Sequence, residues 1–445
     1  MANSTLSRTQ VTGNRTTFTF SAWVKRSKLG VYQMIYSSGA STTYRTQLAW
    51  HEDDIIQFYN NDNGVNMELK TNRRFRDVSA WYHIVLRFDT TQGTAADRIR
   101  LYVNGEQETS FSTATYPTQN ADNTQFNYNG VTVKIGSASY ASSNFFEGYM
   151  SHVAFADGAS LGPTSFGLTD STSGMWKFKP PSGVTYGNNG FHLKMENSGN
   201  LGLDSSGETH NFTTAGDLKQ ALDTPSNIYS TLNALYKDGG SAITYTNGNT
   251  TADVGSGNDW CTSPSTQGVS AGKWYFEAKL TLNSNNEAYI GVANQGNLQI
   301  KTNEPNYLGE DADTIGYYSG NGDIYYNANA SSYGNSWTTG DIIGCALDID
   351  NSKLYFSKNG TWQNSGVPTS GSTGTGAIAL YHTAGDVWHL CVSPNQSKLD
   401  CNFGNGFFGT TAISSAGSNG NGSLFEYDVP SGYYALNTKN INTYG

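Results

Sequence analysis

The chain has 445 residues, a formal net charge of −10 and 14% charged side chains, well below the roughly 25% of an average soluble domain. Its 50 glycines, 28 tyrosines and many Asn, Ser and Thr supply polarity without charge, while an apolar fraction of 36% is enough for real cores and excludes extended disorder, collagen-like, coiled-coil and disulfide-scaffold classes. An acidic chain without a basic stripe excludes nucleic acid as a partner, and no apolar run reaches the 18 or so residues of a membrane span.

Taken in chain order, the dominant period is two. It begins at residues 17–24, where Phe18, Phe20, Ala22 and Val24 share a face, and returns at 82–88 and 98–103. Each such run has one apolar and one polar side, the pattern of antiparallel strands packed in layers. Asn104-Gly105 then supplies the pair a two-residue hairpin turn needs, because both central positions take positive φ. Residues 216–222, closed by Asp223-Thr224-Pro225, are the one predicted helix. Alternation resumes most cleanly over 273–282, with Trp274, Phe276, Ala278, Leu280 and Leu282 on one side. Residues 315–318 and 324–327 flank a Gly320-Asn321-Gly322-Asp323 turn, and 354–357 run into Lys358-Asn359-Gly360, so hairpins continue. Residues 414–423 are rich in Gly, Ser and Asn and separate the last strands from a short tail. Residues 223–233 resemble residues 428–437 with one residue dropped, which would mark the same joint at the end of each module.

Charge and cysteine usage divide the chain. Residues 1–175 carry 14 basic and 14 acidic groups and residues 176–445 carry 12 and 22, so the later part holds the whole net charge. No arginine follows Arg100, and Cys261, Cys345, Cys391 and Cys401 all fall in the acidic part. The triplet Arg73, Arg74 and Arg76 reads as a solvated strand end or loop. The expected fold is all-β: two antiparallel β-sandwich (jelly-roll) modules in tandem with little helix, spanning 1–212 and 241–412, with a linker over 213–240 and a linker and docking tail over 413–445.

Within 1–212, the run from Leu6 through Phe18, Phe20 and Trp23 to Gly30, then Trp81-Tyr82-His83-Ile84-Val85, Leu101-Tyr102-Val103-Asn104-Gly105, and Phe145 to Phe155 with Asp157-Gly158 resemble the concanavalin A-like, laminin-G type jelly roll in the form common in virion proteins of marine tailed phages. The later part resembles a SPRY domain, through Gly272-Lys273-Trp274-Tyr275-Phe276-Glu277-Ala278, Tyr289-Ile290-Gly291-Val292-Ala293, Asp313 to Tyr318, Gly340 to Asp348, Leu354 to Gly360 and Asn402-Phe403-Gly404. The second resemblance implies a scaffold for protein or glycan recognition without catalysis.

Jelly rolls of the first type also carry glycoside hydrolases, which need two carboxyl groups at a defined separation. The nearest sequence pair, Asp348 and Asp350, reads as groups entering a turn. The seven histidines are scattered without zinc spacing, and Gly268-Val269-Ser270-Ala271-Gly272 precedes a strand instead of joining a strand to a helix, so it is no nucleophile elbow. No catalytic residue is assigned. The laminin-G resemblance implies a structural calcium as a candidate. His51-Glu52-Asp53-Asp54 and Asn60 to Gly64 offer hard oxygen ligands but read equally as turns, so the metal ligands stay unassigned. Cys345 reads as a buried thiol. Cys391 and Cys401 could approach across a hairpin, with free thiols preferred for a chain assembled in a reducing cytoplasm.

Sugar rings present apolar faces and a rim of hydroxyls, so glycan sites pair aromatic platforms with amides and carboxylates. On that basis Trp50, Tyr59, Tyr317, Tyr318 and Trp362 are the candidate glycan or partner contacts. In the tail, Phe425, Tyr427, Val429, Tyr433, Tyr434 and Leu436 give apolar area for docking on a neighbour. The reading is a non-enzymatic phage virion protein: a fibre, decoration or receptor-binding component, oligomeric in the particle. It would bind other virion proteins and host surface polysaccharide, and be made in the host cytoplasm, since the N-terminus has no apolar stretch to serve as a secretory signal. The alternatives are a free lectin and, third, a polysaccharide-degrading enzyme.

Overall fold

The structure, a computed structural model, describes residues 3–236, 243–255, 260–283, 287–298 and 307–445. It divides into two units, Met1–Gln220 and Ala221–Gly445. The module boundary expected at 240/241 lies outside the described residues. The segment expected as a linker is divided between the units: residues 213–215 form a strand of the first, and residues 222–236 pack in the second.

The first unit contains β1 (Thr5–Thr9), β2 (Thr17–Arg26), β3 (Gln33–Gly39), β4 (Tyr44–Trp50), β5 (Ile56–Asp62), β6 (Val65–Thr71), β7 (Tyr82–Asp89), β8 (Ile99–Val103), β9 (Glu106–Gln107), β10 (Phe111–Thr115), β11 (Thr132–Ile135), β12 (Gly148–Asp157), β13 (Gly167–Thr169), β14 (Trp176–Phe178), β15 (Phe191–Leu193) and β16 (Thr213–Ala215). They form an eight-stranded sheet, β10-β6-β5-β4-β3-β11-β1-β16, and a six-stranded sheet, β15-β12-β2-β7-β8-β9. The alternating side chains explain the layering: Phe18, Phe20, Leu86 and Phe88 of one sheet and Tyr36, Leu48, Trp50, Phe58 and Leu69 of the other meet in one buried core. At about 1.5–3 kcal/mol for each fully buried large side chain, this face-to-face packing is what holds the sheets. The Asn104-Gly105 turn forms as expected, with φ of 51° and 85°. A Cβ at position 105 would sit 2.4 Å from the Trp176 ring, so close packing as well as φ requires glycine there.

The second unit contains β17 (Thr244–Thr246), β18 (Thr251–Asp253), β19 (Ser263–Pro264), β20 (Lys273–Asn283), β21 (Ala288–Asn294), β22 (Thr314–Tyr318), β23 (Asp323–Tyr326), β24 (Asn329–Ser332), β25 (Ile342–Asp348), β26 (Lys353–Lys358), β27 (Thr361–Trp362), β28 (Ile378–Ala379), β29 (Trp388–Pro394), β30 (Ser397–Asn402), β31 (Phe407–Phe408), β32 (Thr411–Ala412), β33 (Tyr434–Ala435) and α1 (Thr438–Tyr444). A sheet ordered β17-β18-β30-β20-β25-β26-β27, with β28 on β26 and β33 on β20, packs against β19-β29-β21-β22-β23-β24. Trp274, Phe276, Ile290, Val292, Cys345, Leu347, Phe356, Trp388 and Leu390 fill the space between them. All four cysteines are buried and none is in a disulfide, Cys391 and Cys401 lying on β29 and β30 in different sheets.

Two sequence expectations are corrected. Residues 216–222 form no helix: Gly216 leaves β16 at φ +79°, where a Cβ would lie 2.5 Å from the Asn3 carbonyl oxygen, and the chain continues irregularly. The one α-helix among the described residues is α1, capped by Asn437, whose side chain accepts the Asn440 N–H at 2.9 Å. The tail packs on its own unit instead of a neighbour. Phe425, Val429, Tyr433, Ala435 and Leu436 are buried. Phe425 meets the Tyr275 ring edge-on at 5.0 Å, Tyr433 donates to the Pro368 carbonyl at 3.0 Å, and β33 pairs in parallel with Trp274 and Tyr275. Tyr427 is half-buried against Gly360, and Tyr434 stacks on Tyr444 at 3.7 Å. The physical reason is that β30 pairs with β20 only from Glu277 onward, leaving the start of β20 for the tail to complete. The two similar segments lie against each other: Tyr229 bridges Asn437 antiparallel, Ser230 N–H donates to the Leu436 carbonyl, and Thr438 N–H to that of Ile228, each at 2.9 Å.

Candidate glycan-binding face

Strand alternation decides which aromatics of the first unit can meet a ligand. On β4, Leu48 and Trp50 point into the core, so Arg45, Gln47 and Ala49 point outward; on β5, Ile56 and Phe58 point in, and Gln57, Tyr59 and Asn61 out; on β6, Met67 and Leu69 point in, and Asn66, Glu68 and Lys70 out. Register aligns Gln47 with Tyr59 and Tyr59 with Glu68, and in the next row Ala49 with Gln57 and Gln57 with Lys70. Tyr32 and Tyr140 reach the same face from the segments flanking β3 and β11 and pack on Met34, Ala49 and Ala138.

A single directed chain of hydrogen bonds fixes these polar groups. Glu68 accepts only, so Gln57 turns its amide nitrogen toward it, with Nε2 donating to Oε1 at 2.5 Å. Gln57 Oε1 then accepts from the Tyr32 hydroxyl. That hydroxyl accepts from Gln47 Nε2 at 2.6 Å, and Gln47 Oε1 accepts from the Tyr140 hydroxyl at 3.4 Å. Starting from that carboxylate, each group's orientation fixes that of the next along the chain. Lys70 Nζ lies 3.3 Å from Glu68 Oε1. Burial pushes the hydroxyls of Tyr32 and Tyr140 up, keeping both protonated. In front of this chain stand half-buried Tyr59 and Arg45. The Arg45 guanidinium lies over the rings of Tyr59 and Tyr140, 5.1 and 4.9 Å from their centroids. Gln47 and Gln57 are buried and serve as a support, so the groups a ligand can meet are the half-buried rings of Tyr32, Tyr59 and Tyr140 with Arg45, Glu68 and Lys70, a set of aromatic faces and charges that suits a polyhydroxylated ligand. Among the outward residues of β4–β6, Glu68 is the sole carboxylate.

The candidates named from sequence separate accordingly. Tyr59 belongs to the face. Trp50 does not: it is fully buried against Phe75 and Tyr82, one alternation out of step with Tyr59. Tyr317 is also corrected, being fully buried and stacked on Phe356 at 5.3 Å. Tyr318 points the other way, into an aromatic cluster with Trp260, Tyr289, Tyr307 and Tyr325. Trp362 is half-buried against Tyr275 at 6.5 Å. Tyr32, Arg45, Gln47, Gln57, Glu68 and Tyr140 were missed; for four of them the signal is polar or aromatic residues at every second position of β4–β6. Two residues of the calcium candidates are held by other partners. Asp54 binds Arg26 at 3.1 Å and Arg76 at 3.0 Å, and although burial pushes its carboxyl up, the Gly30 N–H and the two guanidiniums hold it below the usual carboxylate range. Asn60 is buried against Thr46. Among the described residues no group of three or more acidic, His or Cys side chains could hold a metal.

A buried Ser–His pair lies on the other sheet. Trp176 Nε1 donates to His83 Nδ1 at 2.9 Å, so the neutral ring carries its proton on Nε2, 2.9 Å from Ser21 Oγ. His83 stacks on Trp23 with the near-coplanar Trp176 at its edge, and burial pushes it down to about 3. Enclosed in this way, the pair offers no access to a substrate.

Residues 2–162 match the family described as the Concanavalin A-like lectin/glucanases superfamily, and residues 273–395 match the SPRY domain. The chain carries a concanavalin A-like domain followed by a SPRY domain. Domains of both kinds mediate protein or carbohydrate binding. A 99-residue stretch is 33% identical to the dual specificity protein kinase splA of Dictyostelium discoideum, covering 22% of this chain and 4% of that protein. A 93-residue stretch is 32% identical to the Ran-binding proteins 9/10 homolog of Drosophila melanogaster, covering 20% and 9%. The chain thus spans under a tenth of either relative. The SPRY domain of human HERC1 is similar at 19% identity and a TM-score of 0.29, covering 38% of this chain and 96% of that one.

The SPRY domain holds its tail through a buried carboxyl. Glu277, on the face of β20 away from the inter-sheet core, accepts the N–H groups of Glu426 and Tyr427 at 2.9 Å each and the Tyr275 hydroxyl at 3.1 Å. Burial pushes it up to about 7, against the opposing pull of the two backbone N–H groups.

Proposed function

We propose that this chain is a non-catalytic recognition protein whose concanavalin A-like domain binds polysaccharide on the outer face of its eight-stranded sheet, while its SPRY domain holds a partner protein. The observation that carries this reading is the directed chain Tyr140-Gln47-Tyr32-Gln57-Glu68 behind the half-buried Tyr59 and Arg45. That buried chain holds the rings of Tyr32 and Tyr140 beside them, so the exposed edges of the aromatic groups stand in fixed positions. Its setting would be a virus particle, with other virion proteins as the SPRY partners and a host surface polysaccharide as the ligand. The sparse charge and the abundance of Asn, Thr, Tyr and Gly support a protein that works outside cells.

A glycan microarray probed with the full chain tests the face. Binding that falls at least tenfold in Tyr59→Ala and in Gln47→Ala, with both variants folded, is the expected result; unchanged binding in both would overturn the assignment. Release of reducing ends from a bound polysaccharide would overturn the non-catalytic reading. Absence of the protein from purified particles by mass spectrometry would overturn the virion setting while leaving the face intact.

A further inference from the structure

Arg45 is set apart from the other arginines of its unit. Arg26, Arg73, Arg76 and Arg100 donate to carboxylates, Arg8 to Asn189, Arg15 and Arg98 to backbone carbonyls, and Arg87 to the Ser160 hydroxyl. Arg74 is exposed to water. Arg45 is half-buried, yet among the described residues it has no hydrogen-bond acceptor and no ion-pair partner, and its Nε is buried without a partner. The rings of Tyr59 and Tyr140 hold the guanidinium in place by cation–π contact. They contact it without consuming its donors. The nearby carboxylate, Glu68, is already engaged by Gln57 and Lys70. The buried Nε is left without an acceptor, at a cost in free energy, and the remaining donors of the half-buried guanidinium are not engaged by the described residues, so a ligand can supply their acceptor.

We propose that the face selects an anionic polysaccharide, with Arg45 receiving the charged substituent, a uronate carboxylate or a sulfate ester, while Tyr59 takes the ring. Both substituents present paired oxygens that match the guanidinium fork. This inference rests on the glycan-binding reading of the same face and adds the ligand's charge class.

The test measures affinity of the full chain for polygalacturonate, dextran sulfate and neutral dextran, for wild type, Arg45→Gln, Arg45→Lys and Tyr59→Ala, each checked for folding by circular dichroism. Charge-assisted hydrogen bonds of this kind correspond to roughly ten- to hundredfold in affinity. The expected result is tight binding of at least one polyanion, a loss of that size in Arg45→Gln, partial rescue in Arg45→Lys, and weak binding of dextran. Carboxyl-reduced polygalacturonate and desulfated dextran sulfate identify which group is read, since only removal of the recognised group abolishes binding. Equal binding of dextran and polyanions with Arg45→Gln unaffected, but Tyr59→Ala impaired, would overturn the anionic class and leave the face standing. Polyanion binding that ignores both substitutions would overturn the inference as non-specific attraction. Binding to none of the polymers, with the microarray also blank, would overturn the face itself.

Discussion

Replacing Glu277 by Gln isolates what a buried carboxyl does to the SPRY domain. The folded value of about 7 stands above the ordinary 4.5, so between those limits the folded form binds more protons than the unfolded one. Stability contributed by this group is therefore fully present below about pH 4.5 and falls as pH rises toward 7. At roughly 1.4 kcal/mol per pH decade, the fall amounts to about 3 kcal/mol. In Glu277→Gln an amide NH2, which has no lone pair to offer, faces one of the two backbone N–H groups that the carboxyl oxygens accept in either protonation state, at a cost of about 1–3 kcal/mol, but nothing titrates. The variant should be the less stable at pH 4.5 and the equal of wild type, or better, at pH 8. Hydrogen exchange at the Glu426 and Tyr427 amides reads this locally, alongside urea denaturation of the full chain. If the variant keeps the same loss of protection between pH 4.5 and 7, or wild type gains protection over that range, the reasoning is refuted.

The concanavalin A-like domain should respond to pH in the opposite sense. His83 falls from 6.5 to about 3 on folding, so the unfolded form binds the extra proton and the domain gains stability as pH rises from about 3 to 6.5, a trend that His83→Asn should flatten in thermal melts. Deleting residues 424–445 removes the buried hydrophobic side chains Phe425, Val429, Tyr433, Ala435 and Leu436; at about 1.5–3 kcal/mol for each large one, the loss rivals a domain's whole stability, and the expected outcome is an unfolded SPRY domain by near-ultraviolet circular dichroism. Trp50→Ala should cost about 3–5 kcal/mol in the concanavalin A-like domain, measured by urea denaturation. The folded fraction should bind glycan normally, the reverse of Tyr59→Ala.

Period-two alternation made the strands legible, because each has one buried side, and the Asn104-Gly105 and Asn359-Gly360 turns were legible because positive φ restricts the residue type. The same alternation, carried one step further, separates Trp50 from Tyr59 and Tyr317 from Tyr318; neighbours along a strand point to opposite faces, and aromatic content alone hides this. What could not be read is non-local. Tyr32 and Tyr140 come from separate segments to close the amide chain, and nothing in either segment's pattern announces the meeting. The tail's apolar residues were visible but not their destination, which depends on β30 stopping short along β20. The cap of α1 rests on Asn437 in a chain so rich in Asn that the signal does not stand out.

Because residues 227–230 and 436–439 run side by side as an antiparallel pair, the polypeptide enters and leaves the SPRY domain at nearly one point. A fold with adjoining entry and exit can be spliced into a surface turn of another protein without stretching its host. It also tolerates a new opening at a distant hairpin once its old ends are bridged by a short peptide.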